Sequence, residues 1–207
     1  MIELSILAVF MTTFFFVSAT PGMCMTLSMT MGMTIGVKRA LWMMAGELLG
    51  VGLVAVLSVL GVAAIMLNYP EVFMVFKYLG GAYLMFLGIQ MWRSRGRMAI
   101  SENFESSGSA TRRELALQGF VTAVANPKGW AFFISLLPPF LDPALPMAPQ
   151  LTVLVVVILM IEFICLLGYA SGGRTLRAFL EKSGNVRLLN RIAGSLMIAV
   201  GIWLALG

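Results

Sequence analysis

Asn126-Pro127-Lys128 stand inside an apolar run, Leu115 to Leu141, that is long enough to cross a bilayer. Proline removes a backbone donor there and clashes with the preceding turn. Lysine carries a charge that is costly at bilayer depth, and asparagine brings a side chain that must find hydrogen-bond partners. A purely structural span has no use for the three together. In lipid a broken helix is tolerated only where protein or a water-filled cavity re-satisfies its backbone. A second break, Pro21-Gly22, interrupts the first apolar run, Leu4 to about Met33. The chain reads as two halves organised around these two breaks.

Composition sets the solvent. The 207 residues are 60% hydrophobic and 11% charged, against about 45–50% and about 25% in a soluble domain. This is a polytopic membrane protein, a single transmembrane domain over 1–207 embedded in the lipid bilayer. Further apolar runs cover Leu41–Leu67, Val72–Trp92, Leu151–Tyr169 and Ile192–Leu206, giving six spans. The N-terminal stretch lacks the basic region of a signal peptide, and its apolar run is longer than a signal core, so it reads as a retained first span. The serine-rich stretch from Arg93 to Glu114 reads as a flexible loop. Arg174 to Asn190 mixes charged and apolar residues and fits either an interfacial helix or a solvated loop. The net charge of +5 does not point to nucleic acid, because the basic residues sit between apolar runs, where they control topology and meet anionic lipid.

Twelve of the fourteen lysines and arginines fall in loops on one side of such a six-span chain. The other side, which carries both termini, has none. The positive-inside rule makes the basic side cytoplasmic and both termini periplasmic. Three spans per half then bring the second half in with opposite orientation. A faint repeat supports the pairing: Gly81-x6-Gly88-Ile89 in span three matches Gly194-x6-Gly201-Ile202 in span six. Together with two broken first helices, this gives an all-α fold of six transmembrane helices. They form two inverted three-helix repeats, about 1–92 and about 115–207, joined by the loop 93–114, with helices 1 and 4 broken. Secondary transporters use such repeats.

Four charges lie within spans: Glu47, Lys77, Lys128 and Glu162. Lys77 is near the start of its span and can snorkel to the surface. Glu47 lies close enough to the cytoplasmic interface to pair with a loop arginine, or else serves transport. Glu162 is deeper, and Lys128 is deepest and follows a helix break, which marks both for the transport pathway. Cys24 and Cys165 fall in apolar runs and read as small buried hydrophobes. Gly46 and Gly50 have the spacing that lets helices approach closely, within one chain or between subunits of a homo-oligomer. The methionines around Met25 could line a thioether path for copper, but methionine recurs along the whole chain as flexible filler. The tryptophans lie mostly near span ends, where belt placement explains most of them. No cofactor or metal site is expected. The absence of histidine excludes serine–histidine and HExxH chemistry, and a single aspartate, Asp142, excludes an aspartate dyad. A lipid-modifying intramembrane enzyme or a structural subunit are the rival readings.

Three segments resemble the LysE/RhtB family of amino-acid exporters: Ser18-Ala19-Thr20-Pro21-Gly22, Phe76-Lys77-Tyr78-Leu79-Gly80-Gly81-Ala82-Tyr83-Leu84 and Ala125-Asn126-Pro127-Lys128. The asparagine-proline-lysine motif is the most specific of them. Met23 and Cys24 stand where the family's first motif has proline and asparagine. The resemblance implies efflux of an amino acid or related metabolite across the bacterial inner membrane, driven by proton antiport. It implies no catalytic residue.

Pro21, Gly22, Asn126, Pro127 and Lys128 are therefore the expected translocation site, with Glu47 and Glu162 as proton-coupling candidates. A new half-helix begins after each break, and its N-terminus presents unpaired N–H groups and about half a positive charge. Two such ends facing one cavity suit a carboxylate. A lysine at a helix N-terminus opposes the dipole, so helix stability does not explain Lys128; it either meets substrate or is paired with Glu162 or Glu47. Reporter fusions at Gly108 and Gly207 test the topology: Gly108 should report cytoplasm and Gly207 periplasm. A cytoplasmic C-terminus would contradict both the six spans and the inverted halves.

Overall fold

The computed structural model describes residues 4–68, 70–94, 110–137, 140–142, 145–181 and 183–206. Among them every long apolar run is helical and no strand occurs, as expected where no water is at hand to satisfy backbone groups. Helix α1 (Leu4–Ala19) stops one residue short of Pro21, and α2 (Met23–Thr34) resumes at 57° to it. Helix α3 covers Val37–Asn68 and α4 Pro70–Arg93. Helix α5 (Arg112–Val124) starts at a capping box in which Thr111 and Glu114 satisfy each other's backbone N–H groups. The bond from the Thr111 backbone, with that from its hydroxyl, holds the Glu114 carboxyl below the usual carboxylate range. Helix α6 (Pro127–Leu136) follows the second break. Helix α7 (Met147–Glu181) is broken at Gly173, whose φ of 44° favours glycine, and α8 covers Ser183–Leu206.

Val37–Gly61, Met147–Gly173 and Gly184–Trp203 are long and apolar enough to cross a membrane, and the bent α1–α2 pair makes a fourth such stretch. Arg174–Asn190 is helical apart from undescribed Lys182: α7 continues past Gly173 and α8 begins at Ser183. The loop alternative for this stretch does not hold. Its apolar residues split between a buried set, with Leu180 and Val186, and an exposed set, with Phe179 and Leu188. The serine-rich stretch 95–109 lies outside the described residues.

The bundle turns its apolar side chains outward as well as inward. Leu49, Leu79 and Ile164 are among the most exposed side chains, while Glu47, Ser58 and Glu162 are buried. That distribution suits lipid as solvent. Without a hydrophobic drive between helices, close approach at small residues supplies the packing. Three direct pairings carry it, and each has a readable direction. On α3 and α5, Gly46 faces Ala116 and Gly50 faces Ala123, so the helices run parallel. On α2 and α7, the Ser28 hydroxyl donates to Leu166 O at 2.8 Å and Gly32 faces Ala170, again parallel. On α4 and α8, Gly88 meets Gly194 and Gly201 meets Gly81, so these helices run antiparallel. The Gly46/Gly50 spacing thus serves contact within the chain.

The contact at Gly46 is the tightest among the described glycines: a Cβ there would overlap the Ala116 carbonyl oxygen. Gly46→Ala should lower stability by about 2–3 kcal/mol or abolish accumulation, since backbone must move. Gly61 has nothing within 4 Å of its added Cβ, and Gly61→Ala should be neutral or stabilising by about 1 kcal/mol. Thermal unfolding of the detergent-solubilised proteins reads both. Equal effects at the two positions would contradict the packing.

Candidate functional site

Each break leaves helix-end carbonyls in the protein interior, and each receives an aromatic donor. Pro21 cannot continue α1, and the residue before a proline is biased away from helical geometry. The Tyr169 hydroxyl, on α7, donates to Ala19 O at 2.7 Å. Thr20 turns its own hydroxyl back onto Phe16 O at 2.8 Å. At the second break the Trp130 indole N–H, on α6, donates to Val124 O at 2.8 Å. Trp130 is thus an exception to belt placement among the tryptophans. Trp42 and Trp92 instead lie under the guanidinium groups of Arg112 and Arg191, 5.3 and 4.8 Å from the ring centroids.

Past the breaks two new helices begin. Gly22 precedes α2 with extended backbone and offers no side-chain cap, and its carbonyl accepts from Thr26 N–H. The first-turn N–H groups of α2 therefore have no intrahelical partner. Asn126 precedes α6, its carbonyl accepting from Gly129 N–H at 3.1 Å, and Pro127 takes the first helical position. The Asn126 amide reaches across to α2 and donates to Cys24 Sγ at 3.8 Å. The two breaks are directly bonded to each other.

They also line one cavity of about 400 Å³. Pro21, Gly22, Asn126, Gly129 and Glu162 border it, together with the first turn of α2. Its apolar wall includes Phe14, Phe132 and Phe133, whose ring centroids lie 5.7–6.0 Å apart. Glu162 accepts a 2.5 Å hydrogen bond from the Ser18 hydroxyl, one turn before the first break. The structure so brings Pro21, Gly22, Asn126 and Glu162 together. Lys128 and Pro127 belong to α6 by backbone; their side chains lie outside the described residues, as does that of Lys77.

Glu47 is placed differently from the interfacial alternative. It is fully buried on α3 rather than at a surface. Cys24 is its polar neighbour, and neither carboxylate oxygen makes a hydrogen bond with good geometry to any described group. Glu47 and Glu162 are close enough to feel each other's charge. The sequence reading gives no site role to Ser18 or Tyr169, takes Cys24 for a small buried hydrophobe and explains most of the tryptophans by belt placement. The signals were present for Ser18 and Cys24, which flank Pro21-Gly22; nothing local marked Tyr169, which acts on a residue far away in the chain. Among the described residues no group of three His, Cys, Asp or Glu side chains is placed to hold a metal ion.

Comparison with known proteins gives a consistent picture. The LysE type translocator family matches residues 15–207. An uncharacterized membrane protein of Vibrio cholerae is 30% identical, the match covering 91% of this chain and 90% of its own length. A homoserine/homoserine lactone efflux protein of Salmonella typhimurium is 29% identical over the same shares. A leucine efflux protein of an Enterobacter species is 30% identical over 62% of this chain and 60% of its own. No solved structure matches the chain. With a cavity between two broken helices inside an apolar bundle, and a family match over nearly its whole length, the chain is a membrane protein that belongs to the LysE-type translocator family.

Proposed function

We propose that the protein is a secondary transporter that exports an amino acid or related small metabolite across the bacterial inner membrane by proton antiport. The observation that carries this reading is the shared cavity: both helix breaks border it, with Glu162 in its wall. The substrate carboxylate sits between the N-termini of α2 and α6, where unpaired N–H groups and helix dipoles favour an anion. Lys128, in the first turn of α6, adds a cation to that end. Glu162 receives the substrate ammonium or the coupling proton. Glu47, buried without a hydrogen-bond partner among described groups, is the second coupling candidate. A carboxylate whose surroundings alternate between apolar and lysine-paired changes its proton occupancy, which is what antiport requires.

Six spans with both termini periplasmic fit the same reading. Parallel α3 with α5, parallel α2 with α7 and antiparallel α4 with α8 are the directions that six alternating spans need. Exchanging the two halves maps the first of these pairings onto the second and the third onto itself. The names of the efflux relatives support amino-acid export. An intramembrane enzyme fits less well, because the cavity holds hydrogen-bonding groups at helix ends but no histidine or paired aspartate.

The test loads cells with a panel of amino acids and follows efflux with and without the protein. Lys128→Gln should abolish efflux while folded protein remains in the membrane. Neither Glu162→Gln nor Glu47→Gln should restore it in a double variant; near wild-type export by either double would mean that Lys128 only holds the helices together. In the same assay Glu162→Gln should lose gradient-driven efflux yet retain substrate exchange. Unchanged pH-dependent efflux would remove Glu162 from the coupling.

A further inference from the structure

A second cavity, of about 440 Å³, lies against the other side of the first break. Thr20, Pro21 and Phe132 line both cavities, so these three residues are the partition between them. From the partition the second cavity follows α4 and α8, past Leu87, Gln90 and Met197, to Ser94 and Asn190. Ser94 adjoins Arg93, and Asn190 adjoins Arg191, which is stacked over Trp92. The cavity therefore runs from the centre of the bundle to its arginine-bearing end.

Its chemistry is specific. None of its described lining residues is charged. Amide side chains both donate and accept, so Gln90 and Asn190 can meet an ammonium and a carboxylate on one solute. Leu87, Met91 and Met197 give the same space an apolar side. The arginines at its end attract a carboxylate by their field. A volume of this size falls within the range of small-ligand sites, about 300–1,000 Å³. In the partition, Thr20 and Pro21 are tied to a backbone break, with Pro21 fixed in φ. Phe132 is a side chain that can change rotamer, packed against Phe14 and Phe133 at 5.8 and 5.7 Å.

We propose that the second cavity is the loading vestibule on the arginine-bearing side, that it takes a zwitterionic amino acid with an uncharged side chain, and that the Phe132 ring is the movable part of the partition such a solute passes. The proposal rests on the reading of the central cavity as the substrate site.

The test is thiol accessibility in membrane vesicles of both orientations. In protein carrying Cys24→Ala and Cys165→Ala, Gln90→Cys should react with a membrane-impermeant thiol reagent from the arginine-bearing side only. Leucine should slow that reaction and glutamate should not. In protein retaining Cys24 but carrying Cys165→Ala, Phe132→Ala should speed the labelling of Cys24 from the same side by about tenfold, since it lowers the barrier to entry. Phe132→Leu, which keeps the core filled, should give a smaller rise of the same sign. No labelling at position 90 from that side, equal labelling from both sides, or equal protection by glutamate would overturn the proposal. Labelling does not depend on transport, so the two readings fail separately. An unlabelled Gln90→Cys protein that still exports overturns the vestibule alone. A labelled protein that exports no amino acid and is not protected by leucine overturns the exporter reading and the substrate class with it.

Discussion

The carbonyls of Ala19 and Val124 end their helices in the interior of an apolar bundle, and the rest of the site depends on how they are satisfied. A buried backbone group without a partner costs about 1–3 kcal/mol, and lipid offers no substitute. The Tyr169 hydroxyl and the Trp130 indole supply the missing donors. Because Tyr169 lies on α7, the cap that closes α1 also fixes the register of α7 against the first break. That register sets Glu162, about two turns earlier on the same helix, beside Ser18. A requirement of backbone chemistry thereby positions a carboxylate at the cavity. The Asn126–Cys24 contact then holds the second break against the first.

Around this centre the helices are drawn together at small residues rather than by hydrophobic exclusion. The reciprocal contacts of Gly88 with Gly194 and of Gly81 with Gly201 let α4 and α8 touch backbone to backbone. Gly46 and Gly119 do the same for α3 and α5, and that approach buries Glu47. A carboxylate so placed is costly to bury, and such groups inside a membrane are by default functional rather than structural. Two carboxylates, Glu47 on α3 and Glu162 on α7, are thus buried near the first break.

Much of this was legible in the sequence because proline and charge are conspicuous in apolar runs. Pro21 and Pro127 mark the helix breaks to within a residue or two, since proline's missing donor acts locally. The Gly81/Gly88 and Gly194/Gly201 spacings pointed to a repeat, and these glycines meet in the fold. Arg174 to Asn190 was ambiguous because its composition suits both helix and loop, and tertiary packing of Leu180 and Val186 decides for helix. Glu47 was open between surface and interior because distance along the chain does not say how deep a helix sits among its neighbours. Tyr169 was invisible for a related reason: a hydroxyl that caps a distant helix leaves no local pattern. The second cavity likewise needs α1, α4, α6 and α8 assembled before its wall exists.

The central claim is that the two helix N-termini at the breaks bind the carboxylate of the exported amino acid. It is tested most directly by equilibrium binding to the purified protein. The exported amino acid is titrated against its decarboxylated amine, which keeps the ammonium and the side chain and lacks only the anion. The expected result is saturable binding of the amino acid that the amine does not displace at comparable concentration. Displacement by the amine with equal affinity would mean that the carboxylate contributes nothing and that the breaks serve another purpose.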